Sequence, residues 1–253
     1  MQVAVLASGS KGNATFIEME GVKLLVDAGI STRRIKQELS NLGVDIADLD
    51  GIFITHEHID HVKGLATLSK KYRIALYSRP ETFRAMSCYR EIPIECLNPI
   101  KDRVTLGRIS VRAFDISHDA VNPVGYVIQG SSRCVVATDT GYISKGMQAM
   151  LEGAQGMVLE ANHDVDMLKM GPYPRSLQLR ILGRQGHLSN EITAQTLAKL
   201  KNRPKKVFLA HLSEQNNSPE VAMDTVKSIL AQEGIEDIEL FMTSPNQCVS
   251  TTY

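Results

Sequence analysis

Three histidines and an aspartate fall within six residues, His56, His58, Asp60 and His61, directly after the apolar run Gly51-Ile52-Phe53-Ile54. The run reads as a short buried strand, and the cluster as the tight loop that ends it. Imidazole nitrogens and carboxylate oxygens at this density are the donors that a borderline divalent metal prefers. A chain carrying such a loop must bring further donors to it from elsewhere in the sequence.

The rest of the sequence repeats the pattern. Apolar runs end at or just before Asp27, His118, Asp139, Glu160 and His211. These residues reach the cluster only if the strands point toward a common edge, where strand ends and loops build sites in open sheets. Asp27 reads as a group that orients a ligand histidine, with a turn former as the alternative. Helical periodicity alternates with the strands in both halves. The expected fold is therefore α+β, with two mixed sheets face to face and helices outside. No linker or low-complexity stretch interrupts residues 1–253, which read as a single domain.

Local readings add detail. Ser8–Asn13 is a small-residue turn that joins strands, and its N–H groups could approach an anion. The spacing predicts a strand over Arg73–Tyr77, a helix from Pro80 to about Tyr89, an irregular stretch at 92–102 and a helix over Pro174–Leu182. Lys+Arg and Asp+Glu balance at 28 each, so nucleic-acid binding requires a local basic patch. Arg175, Arg180 and Arg184, with Tyr173 beside them, form one candidate; a solvated charged face is the alternative. No apolar run is long enough for a membrane span, and the start lacks a basic leader region. The four cysteines show no metal-knuckle spacing and read as reduced thiols, so a cytoplasmic location is expected.

His56-x-His58-x-Asp60-His61, followed in order by His118, Asp139 and His211, resembles the metallo-β-lactamase superfold, an αβ/βα four-layer sandwich. The resemblance implies two divalent ions, zinc or manganese, with iron also suited. One would take His56, His58 and His118, and the other Asp60, His61 and His211, with Asp139 between them. Such a pair generates hydroxide near neutral pH and clamps attacking and leaving oxygens, and Asp60 would also orient the nucleophile.

The fold alone does not choose the substrate. Asp139 stands where the best-known zinc β-lactamases carry cysteine, and His58 where flavo-diiron proteins carry glutamate. Leu159-Glu160-Ala161 and Gly186-His187-Leu188-Ser189 resemble elements of ribonuclease Z-type enzymes. By that resemblance, His187 protonates the leaving oxygen and Glu160 supports it. Ser8–Asn13, Thr55–His61, Thr138–Tyr142, Leu159–Asp164, Gly186–Asn190 and His211–Asn217 together resemble the bacterial YycJ (WalJ) group. That group implies a 5′-to-3′ exonuclease on DNA; RNA or a small phosphodiester remain open as substrates, as does the oligomeric state. Ser8, Asn13, Asn162, His163, Arg184, Ser213 and Asn216 are the candidate substrate contacts, and several of them could equally support ligands. The alternative is a thioester or lactone hydrolase of the glyoxalase II kind, although the added helical domain for a glutathione conjugate is not visible.

Overall fold

The structure, a computed structural model, describes residues 1–253. In the first half, β1 (Gln2–Ala7), β2 (Ala14–Met19) and β3 (Val22–Val26) form an antiparallel meander. Next, β4 (Gly51–Phe53), β5 (Leu76–Ser78) and β6 (Leu97–Pro99) add to β3 in parallel, one after another. The second half repeats the plan. Its meander is β7 (Arg103–Leu106), β8 (Ile109–Asp115), β9 (Val124–Gln129) and β10 (Arg133–Ala137). Its parallel additions are β11 (Gly156–Glu160), β12 (Lys206–Ala210) and β13 (Glu239–Met242). Finally β14 (Val249–Thr252) returns to pair with β1, which completes two seven-stranded sheets.

Parallel neighbours need crossover connections, and these carry the helices. In the first half they are α1 (Thr32–Asn41), α2 (Ile59–Val62), α3 (Leu65–Tyr72) and α4 (Pro80–Ala85). In the second they are α5 (Lys145–Leu151), α6 (Val165–Met170), α7 (Arg175–Ile181), α8 (Asn190–Lys199) and α9 (Pro219–Gln232). No helix is long and apolar enough to cross a membrane.

Strand alternation builds the four layers. Along β1, Val3 and Val5 face the opposite sheet, while Ala4 and Leu6 face the helices. Between the sheets, Val5, Ile17, Leu24 and Phe53 share one cluster with Val111, Tyr126, Val136 and Phe208. The outer clusters pack Ile35, Leu39 and Leu65 on the first sheet, and Leu197, Val226 and Leu230 on the second. The two-sheet, helix-flanked α+β fold is the one expected from the sequence.

Several local expectations change. Arg73 caps α3 in the left-handed region (φ 55°), so the expected strand starts only at Leu76. Met86 turns extended and buries itself in the first outer cluster, which stops α4 at Ala85. The stretch 92–102 contains β6, an edge strand, where Pro99 leaves no ladder donor missing from the sheet interior. The short α6 was not anticipated, although Asp164 caps it by accepting from Asp166 N and Met167 N.

Phe53 stacks on Tyr77 at 4.8 Å and meets the Tyr126 ring edge-on at 5.4 Å. Phe53→Ala is expected to destabilise the fold by about 3–5 kcal/mol through the cavity it leaves between the sheets. Urea denaturation checks this, and a loss under about 1 kcal/mol would contradict the packing described.

Candidate active site

The candidate site lies where the parallel strands of both sheets end. Asp27 follows β3, His56 follows β4, Asp139 follows β10 and His211 follows β12; Glu160 is the last residue of β11. His118 stands three residues beyond β8. Three of these residues adopt the left-handed region, Asp27 (φ 62°), Asp139 (φ 59°) and His211 (φ 58°). That conformation turns the chain sharply off the strand at a cost that non-glycine residues bear only when their surroundings enforce it. Backbone pairing does so around the histidine loop. Asn13 N donates to Asp60 O at 2.8 Å and Ala28 N to His61 O at 2.8 Å. Gly29 lies so close that a Cβ there would sit 1.5 Å from Asp60 O.

Asp27 is both a turn residue and an anchor. Its Oδ1 accepts from Thr55 N at 2.8 Å, and its Oδ2 from the Thr55 hydroxyl at 2.8 Å. The same Oδ2 lies 2.8 Å from His61 Nδ1, which fixes that ring with Nε2 facing the site. Four overlapping groups of donor atoms, each within 4.8 Å of one another, could hold a metal: His56, His58 and His118; His56, His61 and Asp139; Asp60, His61 and His211; and Asp139, Glu160, His187 and His211. Within them His56 Nε2 faces His58 Nδ1 at 3.1 Å. Asp139 lies between the groups, with Oδ2 3.3 Å from His61 Nε2 and Oδ1 3.4 Å from His211 Nε2.

Glu160 is fully buried, and both its oxygens are occupied. Oε2 accepts from Thr140 N and Leu188 N, each at 3.0 Å. Oε1 lies 2.8 Å from His187 Nδ1 and 3.0 Å from His211 Nδ1. His187 borders a cleft of about 160 Å³ together with His118, Asp119, Asn162, Tyr173, Arg180, Gln185 and Ser213.

The candidate substrate contacts divide. Asn162 and Ser213 line the cleft. Ser8 is buried, accepting from His211 N at 2.8 Å. Asn13 is buried too, with its amide 3.2 Å from His61 Nε2 and its carbonyl oxygen accepting from Gly9 N. Asn216 is fully buried and donates to Ser213 Oγ. His163 is buried behind Asn162, outside the cleft lining. Ser8, Asn13, His163 and Asn216 are thus buried and lie outside the cleft lining. Because α7 stops at Ile181, Arg184 lies beyond it and shares no helical face with Arg180; its guanidinium covers the Tyr142 ring at 4.2 Å. Asp119 and Gln185 were not anticipated. The position of Asp119, adjoining His118, was the available signal.

Residues 23–212 match the beta-lactamase superfamily domain. Over 261 residues the chain is 38% identical to the exodeoxyribonuclease YycJ of Bacillus anthracis, covering 100% of this chain and 99% of that protein. It is 39% identical to the exodeoxyribonuclease WalJ of Streptococcus pneumoniae, covering 98% of this chain and 96% of that one. The chain belongs to the metallo-β-lactamase superfamily, in its YycJ/WalJ group. Its fold matches the metallo-β-lactamase-fold protein YhfI of Bacillus subtilis with a TM-score of 0.71 at 15% identity, over 99% of each chain.

The donor set of this metallo-β-lactamase-fold hydrolase suits divalent cations electrostatically. Burial would raise Asp139, yet the His211 and His61 charges hold it well below the usual carboxylate range. Burial would likewise raise Glu160, but His187 and His211 bring it down to about 2. Burial would lower His211, whereas Asp139, Asp60 and Glu160 lift it to about 10. His61 is raised in the same way, against its burial, by Asp27 and Asp139. The carboxylates stay ionised and demand positive charge, which protons on the imidazoles supply when no cation does. Asp139 Oδ2 and His211 Nε2 are buried without a hydrogen-bond partner, as atoms reserved for an ion would be.

Asp27→Asn removes the charge that orients His61 while keeping the side chain's shape. Manganese affinity, followed by isothermal titration calorimetry, is expected to fall about 10–100-fold. Unchanged affinity would show that the Asp27–His61 contact is not part of cation binding.

Proposed function

We propose that the protein is a dinuclear, divalent-metal-dependent phosphodiesterase that acts on DNA as a 5′-to-3′ exonuclease. In this reading His56, His58 and His118 hold one ion, Asp60, His61 and His211 hold the second, and Asp139 serves both. Zinc and manganese fit these hard-to-borderline donors, as does iron. When bound, such ions supply Lewis acidity and lower the pKa of water.

The chain's own groups supply the remaining chemistry. The observation that carries the phosphodiester reading is the His187–Glu160 contact at 2.8 Å, with His187 Nδ1 also 3.7 Å from Asp139 Oδ1. Glu160 engages Nδ1, which leaves Nε2 of this cleft-lining ring as the nitrogen that can hand a proton to a departing sugar oxygen. Asp60 keeps 19% of its side chain exposed, which would let it accept a hydrogen bond from the attacking water and orient it. Asn162 and Ser213 offer polar contacts to the phosphate from the cleft wall. DNA as substrate is supported by the full-length similarity to proteins named exodeoxyribonuclease.

Purified protein with manganese or zinc is expected to shorten 5′-phosphorylated DNA from the 5′ end and to hydrolyse bis-p-nitrophenyl phosphate. Chelation should abolish both activities. Thioester turnover on S-lactoylglutathione without phosphodiester turnover would overturn the reading. His187→Ala is expected to lower kcat on DNA by about 10²–10⁴-fold, with a smaller loss on the nitrophenyl ester, whose leaving group needs no proton. Metal content measured by mass spectrometry should be retained; its loss would make His187 a ligand instead.

A further inference from the structure

The cleft at His187 does not end at Arg180. A second hollow, lined by Ser117, Tyr142, Arg180, Gly183, Arg184 and Gln185, shares Arg180 and Gln185 with it. The two hollows thus adjoin, one at His118 and His187 and the other at the Tyr142–Arg184 stack. We propose that this stack is a binding subsite for the strand beyond the scissile linkage, with Arg184 engaging its next phosphate. This inference rests on the nuclease reading above and extends it to a second nucleotide.

The subsite is held rigidly. Gly141 packs against the Arg184 backbone so closely that a Cβ there would sit 2.3 Å from Arg184 O. Gly141 N donates to Ser117 O at 2.9 Å. The Thr140 hydroxyl donates to Tyr142 O at 3.1 Å, and Thr140 N reaches Glu160 at 3.0 Å. His187 N donates to Ile181 O at 3.0 Å, which pins the short loop carrying both Arg184 and His187. The backbones of Tyr142 and Arg184 are therefore tied to the segments that carry Glu160 and His187.

Charge selects Arg184 over its neighbour. Arg180 is paired with Asp119, which also lies 3.3 Å from His118 Nε2, so its charge is already answered. Arg184 is exposed and stacks on Tyr142 without a carboxylate partner. A guanidinium lying over an aromatic face keeps its N–H edges available, and those edges match phosphate oxygens. A strand with only one phosphodiester cannot reach this position while that linkage occupies the cleft.

The test compares Arg184→Ala with wild type on a single-stranded deoxyribonucleotide hexamer and on a deoxyribonucleotide dimer, each 5′-phosphorylated, with manganese. On the hexamer KM is expected to rise about tenfold or more, as for one lost charge-assisted contact, with kcat within about twofold. The slope of log KM against log salt should fall by about 0.7, the signature of one single-strand phosphate contact. The KM increase on the dimer should be several-fold smaller. Lys227→Ala, on the exposed face of α9, removes the same charge elsewhere and should alter neither slope nor KM. Equal losses on dimer and hexamer, or an unchanged salt slope, would overturn the subsite. Wild type that hydrolyses bis-p-nitrophenyl phosphate but no DNA would instead overturn the nuclease reading, so the two failures are distinguishable.

Discussion

Asp27, Asp139 and Glu160 put three carboxylates at the seam between the sheets, 3%, 2% and 0% exposed. An ionised carboxylate taken out of water costs several kcal/mol even after the protein relaxes, unless partners answer its charge. Here each has them: Thr55 and His61 on Asp27, His61 and His211 beside Asp139, and His187, His211 and two backbone N–H groups on Glu160. The dependence is mutual, since the same carboxylates orient the imidazoles. The loops that carry these residues come from both sheets, so the burial of charge and the meeting of the two halves are one event.

The strand ends explain why that meeting is geometrically possible. Parallel strands place all their C-terminal ends on one side, and the antiparallel meanders serve to start each parallel run in the right direction. A strand that simply continued would carry its polar residue past the site. Left-handed turns at Asp27, Asp139 and His211 instead stop the chain within one residue and swing the following segment away. Aspartate tolerates this conformation better than most residues, and Asp27 is further held by its bond to Thr55 N at the end of the neighbouring strand. His211 has no such excuse, and its backbone N–H is secured by the buried Ser8 hydroxyl. Ser8, expected to meet substrate, is needed for the backbone.

Continuous apolar runs made the layers legible in the sequence, because strands covered on both faces are apolar along their whole length. The polar residues at strand ends were legible for the same reason, as interruptions of apolar runs. Beyond that, the sequence was mute where a side chain's direction depends on a distant loop. Asn13 and Asn216 carry the polar groups a substrate contact would need, but whether such groups face a cleft or a neighbouring backbone is decided by tertiary packing. Arg184 falls outside α7, as the expected helix bounds allow, and Gly183 and Gly186 let the loop fold back against the end of that helix. Weak edge strands such as β6 and β7 were hidden because edge positions tolerate proline and exposed polar residues.

The histidine cluster that constrains the fold most says least about the substrate. His56, His58, Asp60 and His61 sit on a loop locked to β3 by backbone contacts at Gly29 and Ala28, with little freedom to vary around a ligand. Apart from Ser10, the segments that line the cleft and its adjoining hollow belong to the second half: residues 117–119, 142, 162, 173–187 and 213. Glu160 joins these two functions in one side chain. One oxygen touches both His211 and His187, and the other fixes the backbone at Thr140 and Leu188. Any shift of the loops that choose the substrate is thereby transmitted to the groups placed to transform it. If the proposed function holds, discrimination between a phosphodiester and an acyl substrate would rest on the loops tethered to Glu160, and not on the cluster at His56–His61.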